Sequence, residues 1–95
     1  MNSNYFNCIV DNLKFEEILL LGILQDEDST SPFKSMNRSD VYQKSDMTVA
    51  NFRKTLSNLV SMNFISVLSG NKNHKIFITQ YGVMALKKSL EEANS

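Results

Sequence analysis

The stretch from Met47 to Gly82, MTVANFRKTLSNLVSMNFISVLSGNKNHKIFITQYG, constrains the fold more than any other part of the chain. Thr48 stands where an N-cap belongs, with a hydroxyl oxygen to accept an orphan backbone N–H of a first helical turn. Phe52, Leu56, Leu59 and Val60 then recur at helical steps and predict one apolar stripe. Asn63 predicts the end of that helix, because Asn tolerates the left-handed conformation that closes helices. Phe64–Leu68 and Lys75–Thr79 are rich in β-branched and aromatic residues, and Gly70-Asn71-Lys72-Asn73 between them is a cluster of turn formers. The strand period places Ile76 and Ile78 on one face, with Lys75, Phe77 and Thr79 on the other. A helix, a polar hairpin and a second helix in this order predict the second half of a winged helix-turn-helix.

The stretch resembles the winged-helix DNA-binding domains of the MarR and PadR type. Their pattern is a helix ending in Leu-x-x-Leu-x-x-x-Gly-Leu-Ile, a wing, and Leu-Thr-x-x-Gly before a closing helix. The corresponding residues run from Leu56 through Leu59, Asn63, Phe64 and Ile65, and then Ile78-Thr79-Gln80-Tyr81-Gly82. Asn63 replaces the usual Gly and is compatible with the same backbone. The resemblance spans about residues 14–88 and implies a mainly α fold with a small β-hairpin wing. The layout is one winged-helix domain over 1–95, with an N-terminal arm or helix (1–13), a core (14–88) and a tail (89–95).

A chain of 95 residues that is 42% hydrophobic has material for one modest core. It has no apolar run of transmembrane length and no signal-peptide pattern, so no membrane association is expected. A lone Cys8 fits a reducing cytoplasm. With a single His besides, the usual Cys/His zinc sites cannot be assembled. The formal net charge is zero, but it is unevenly spread. Residues 1–31 carry Lys14 against Asp11, Glu16, Glu17, Asp26, Glu27 and Asp28. Residues 32–88 carry nine cations against Asp40 and Asp46. A basic helix-turn-helix and wing beside an acidic start argue for nucleic-acid contact.

In the N-terminal arm, Tyr5, Phe6, Ile9, Val10 and Leu13 follow helical spacing, and the helix they predict packs either on the domain's own core or on a second copy. Lys14–Gln25, with Phe15, Ile18, Leu19, Leu20, Leu21, Ile23 and Leu24, predicts a central buried helix. Glu16 and Glu17 read as solvated charges in its first turn, favourable to the helix dipole. Asp26–Ser35 reads as a solvated acidic loop. Asn37–Ser45 predicts the first helix of the turn motif, capped by Asn37 and buried at Val41, with Asp46-Met47 as the turn. Tyr81–Ala93 predicts the closing helix, with Val83, Leu86 and Leu90 on one face.

Winding the third helix at about 100° per residue turns Ala50, Asn51, Lys54, Ser57, Asn58 and Ser61 away from the stripe and leaves Arg53 on its flank. Asn pairs bidentately with adenine, and Lys and Arg reach guanine or phosphate. The expected DNA-contacting residues are therefore Arg38, Thr48, Asn51, Arg53, Lys54 and Asn58, with Lys72, His74 and Lys75 on the wing. Ala50, Ser57 and Ser61 are small, which also suits close approach of another helix. The MarR-like resemblance implies a homodimer whose third helix lies in the major groove. A second resemblance, of general plan, is to the small plasmid and phage partition proteins of the TubR type. It implies third helices packed together in the dimer, DNA met by helix N-termini and wings, and a tubulin-like GTPase filament as a further partner. The groove-inserted reading is preferred for Asn51 and Lys54, and the packed dimer remains its alternative. With no phosphate loop, nucleophile set or metal-ligand spacing, neither an enzyme nor a cofactor is expected. The expected function is sequence-specific binding of double-stranded DNA, in transcription regulation or partition. The alternative from another class is a winged helix used for protein contact only.

Overall fold

The computed structural model describes residues 13–68 and 74–93. The expected N-terminal helix with Cys8, and the turn Gly70–Asn73 with Lys72, lie outside them. In chain order come α1 (Phe15–Asp26), a 3₁₀ turn (Pro32–Lys34), β1 (Met36–Asn37), α2 (Arg38–Ser45), α3 (Val49–Ser61), β2 (Ile65–Leu68), β3 (Lys75–Ile78) and α4 (Gln80–Ala93). The strands form an antiparallel sheet in the order β1-β3-β2, with Val67 opposite Ile76 on one side and Met36 opposite Ile76 on the other. This is a winged helix-turn-helix fold.

Helix α1 is the axle of the domain, as its composition predicts. Leu20, Leu21 and Leu24 are wholly buried, and α2, α3, α4 and β3 all pack against it. The sheet adds Ile65, Ile76 and Ile78, and α3 adds Phe52, Leu56 and Leu59. Val60 departs from the expected stripe. It is 36% exposed, and Thr55 is buried instead. A helical wheel gives direction around an axis but not how far the neighbours reach. Leu90 on α4 is likewise 50% exposed rather than inward.

Polar groups close the helices. Thr48 Oγ1 accepts the Asn51 N–H at 3.2 Å, the expected cap of α3. At its other end Asn63 has φ 66°, and the amides of Asn63 and Phe64 donate to Val60 O and Leu59 O. That is a Schellman motif with Asn in the position usually held by Gly. Helix α1 ends the same way: Asp28 has φ 58°, and the amides of Asp28 and Ser29 donate to Gln25 O and Leu24 O. At the start of α4 Thr79 Oγ1 accepts the Gly82 amide at 3.1 Å and donates to Asn63 O at 2.6 Å. A Cβ on Gly82 would fall 2.3 Å from Phe64 O, so the Thr-x-x-Gly run docks α4 directly onto the backbone leading into β2.

Four expectations are corrected. The loop 26–35 is not uniformly solvated. Ser29 is wholly buried, its hydroxyl donates to Ile76 O at 3.2 Å, and its carbonyl accepts the Ile78 amide at 2.9 Å. β1 has no counterpart among the expected elements, since two residues carry no readable period. Asn37 occupies the N-cap position of α2 but makes no capping bond, and its Oδ1 is buried without a partner among the described residues. Glu17 is only 5% exposed: its carboxylate accepts the Lys14 amide at 2.9 Å and the Asn58 side-chain amide at 3.3 Å. The position three residues past the N-cap turns a carboxylate back to the helix start, and α3 crosses over it. Ser45, where an apolar residue is commoner, is explained by its own bonds. The hydroxyl donates to Tyr42 O at 2.6 Å and accepts the Met47 amide at 3.3 Å, closing the turn in which Asp46 has φ 57°.

Candidate nucleic-acid interface

The exposed surface of α3 divides along its length. The first half presents Val49, Ala50, Asn51, Arg53 and Lys54 to solvent. Thr48 is exposed too, with its hydroxyl engaged in the cap. The second half presents Ser57, Val60 and Ser61. Beside them on β2, Val67 is 37% exposed and lines the same groove, so the helix and this strand residue form one largely uncharged surface. Asn58 does not belong to the solvent face. It is half-buried and donates to Glu17, which corrects its expected orientation.

Arg38, the first residue of α2, meets this surface from the side. Its guanidinium carbon lies 5.8 Å from the centroid of the Phe52 ring, a cation–π distance. Tyr42 packs edge-on against the same ring at 5.2 Å. The Arg38 amide donates to His74 O at 2.9 Å, and Asn37 pairs with Lys75, so the start of α2 is tied to the base of the wing. Arg38, Tyr42, Val49, Phe52, Arg53 and His74 line an open groove of about 280 Å³. A neighbouring groove of about 320 Å³ shares Arg38, Arg53 and His74 and continues along Leu56, Ser57, Val60, Ser61 and Val67.

The charges sort by partner. Lys34 pairs with Asp28 at 2.9 Å and Lys44 with Glu27 at 3.5 Å, so the acidic loop neutralises cations of its own neighbourhood. Among the described residues, no carboxylate pairs with Arg38, Arg53, Lys54 or Lys75. The structure brings Arg38, Arg53 and His74 together along the same grooves. Asn51, Lys54 and Lys75 are exposed but line neither groove, and Asn58 is drawn off the solvent face toward Glu17. Sequence reasoning missed the Arg38–Phe52 contact and the Glu17–Asn58 bond. Neither had a sequence signal: the spacing of Lys14 and Glu17 signals only the local bond from the Lys14 amide to the Glu17 carboxylate. Among the described residues no group of three or more His, Cys, Asp or Glu could hold a metal ion, and no helix is long and apolar enough to cross a membrane.

No protein-family model matches the chain. It is 33% identical over 88 residues to the DNA-binding protein TubR of Priestia megaterium, covering 93% of this chain and 87% of that one. The solved structure of TubR from Bacillus megaterium pBM400 superposes with a TM-score of 0.88 at 32% identity, over 92% of this chain and 97% of the other. BpsR of Bordetella bronchiseptica shares the fold at a TM-score of 0.73 and 17% identity, over 87% of this chain and 56% of its own. S. aureus MepR, solved in a DNA complex, does so at 0.71 and 15%, over 98% and 76%. With a relative one third identical along nearly the full length of both, and the same fold, the chain belongs to the TubR family of winged-helix DNA-binding proteins.

Proposed function

We propose that the chain binds double-stranded DNA as a homodimer and uses the two halves of α3 differently. The first half, with Asn51, Arg53 and Lys54, goes to DNA together with Arg38 and the wing residues Lys72, His74 and Lys75. The second half, with Ser57, Val60 and Ser61 beside Val67, goes to the second copy. The observation that carries this reading is the change of surface along a single helix, from charged and amide-bearing to small and apolar. It reconciles the two sequence expectations. Asn51 and Lys54 keep a groove-facing role, and the small residues keep close helix packing. DNA binding is what the TubR relative is named for. Kinship with TubR also favours partition over transcription regulation, with the chain as a centromere-binding adaptor for a tubulin-like GTPase filament.

The test is fluorescence anisotropy of duplexes tiled across the DNA flanking the chain's own gene, titrated between about 50 and 200 mM salt. One fragment should bind well above the rest, with affinity falling steeply as salt rises. Equal, salt-insensitive binding to all fragments, or none, would remove the DNA reading and leave the protein-contact alternative.

A further inference from the structure

We infer that Arg38, Arg53 and His74 form one niche that holds a single backbone phosphate of DNA in each protomer. The inference rests on the DNA-binding reading and adds the class of contact made by these three residues. They come from three elements, the start of α2, the middle of α3 and the base of the wing, yet all three line both adjoining grooves. The backbone bond from Arg38 to His74 O and the pairing of Asn37 with Lys75 hold two of those elements in register. Arg38 is further held over Phe52, which is buried and braced by Tyr42. No Asp or Glu lines either groove. Two guanidinium groups thus stand at one place, one of them fixed by an aromatic ring rather than by a carboxylate.

Guanidinium forks match the oxygens of a phosphate bidentately. The opening of about 280 Å³ falls just under the usual span of small-molecule clefts, roughly 300–1,000 Å³. Its walls of Tyr42, Phe52 and Val49 beside the cations suit the sugar and phosphate of one nucleotide. A phosphate there positions the domain on the duplex and reads no base. Phe52 is then a positioning residue for Arg38 as well as a core residue.

The experiment uses the full chain and a random-sequence duplex, with affinity measured against salt for wild type, Arg38→Gln, Arg53→Gln and the double variant. Each phosphate contact contributes about 0.9 to the slope of log affinity against log salt. A phosphate shared by two guanidinium groups stays neutralised when one of them is removed, so either single substitution should leave the slope nearly unchanged. The double variant empties the niche, and a dimer then loses about 1.8, about a 12-fold smaller loss of affinity between 50 and 200 mM salt. Single losses of about 1.8 that double in the double variant mean two separate phosphates and overturn the shared niche while leaving DNA binding intact. An unchanged slope in the double variant overturns it too. A wild-type protein with no salt-dependent binding removes the DNA reading and the niche together. Should Arg38→Gln not fold, Arg38→Lys retains the charge and loses the fork. It should keep the slope and bind more weakly, and a lowered slope there counts against the niche.

Discussion

The same substitution at two helical glycines should have opposite signs. In Gly82→Ala the new methyl falls 2.3 Å from the Phe64 carbonyl oxygen and 2.6 Å from Ile78 Cγ1. The side chain of Ile78 has rotamers to move through, although it is wholly buried. The Phe64 carbonyl has no such freedom, because it accepts the Thr79 amide at 2.9 Å and lies next to the Schellman closure of α3. To relieve the contact, α4 must lift from the sheet, loosening the buried Ala85 and Leu86. Overpacking costs about 1–3 kcal/mol, and a backbone obstacle places this case at about 3. The helix-propensity gain of about 1 kcal/mol for Ala over Gly leaves a net loss of about 2 kcal/mol. A domain of this size shifts its melting temperature by about 4–8 °C per kcal/mol, so Gly82→Ala should melt about 8–16 °C below the parent. Gly22 lies inside α1, and a methyl added there meets nothing within 4 Å. The propensity term then acts alone, and Gly22→Ala should melt about 3–8 °C higher. Circular dichroism melts of the pair decide the matter. If Gly82→Ala melts at or above the parent, the docking argument for Thr-x-x-Gly is wrong.

Two further outcomes are expected. Leu56→Ala empties a buried position between α3 and the core and should cost about 2–5 kcal/mol in a denaturant titration. A midpoint within error of the parent would show that the site collapses. Lys72→Ala with Lys75→Ala should weaken binding to every duplex by a similar factor and lower the salt slope. A change confined to one sequence would mean that the wing reads bases.

The parts of the fold legible in the sequence are those decided by local chemistry. The stripe Phe52, Leu56, Leu59 and the alternation around Ile76 and Ile78 declare period and direction within a few residues. Asn63 and Thr79 declare their turns by what their side chains tolerate or bond. The burial of Ser29 and Glu17 is not legible, because it depends on partners 47 and 41 residues away. A hydroxyl or carboxylate in an acidic stretch looks solvated until another element brings the donor or acceptor that satisfies it. β1 escapes because its existence is a property of β3, which has a free edge for two residues to fill. At the candidate interface, residue type nominates Asn51, Arg53 and Lys54 without showing which carboxylates neutralise which cations. Lys34 and Lys44 look equivalent to Arg38 and Arg53 until the ion pairs with Asp28 and Glu27 separate them.

How α3 is shared between DNA and a second copy can be decided at Ser57. It is exposed and lines the groove that also holds Val60, Ser61 and Val67. In a homodimer with twofold symmetry the same patch meets itself, so one substitution enters the interface twice. Ser57→Glu would then place two carboxylates in the interface. Arg53 lines the same groove one turn earlier and answers part of that charge. Leaving a buried charge wholly unpaired costs about 3–5 kcal/mol, so about 3 kcal/mol is taken for the symmetric pair, roughly two decades in the dissociation constant of the dimer. Sedimentation velocity without DNA should therefore show a monomer at concentrations where the parent is a dimer. Were the whole of α3 inserted in the major groove instead, the new carboxylate would face phosphates only when DNA is present. The free protein would then sediment as an intact dimer, and only its DNA affinity would fall. An intact Ser57→Glu dimer thus refutes the division of α3, and the same run requires the parent itself to be dimeric.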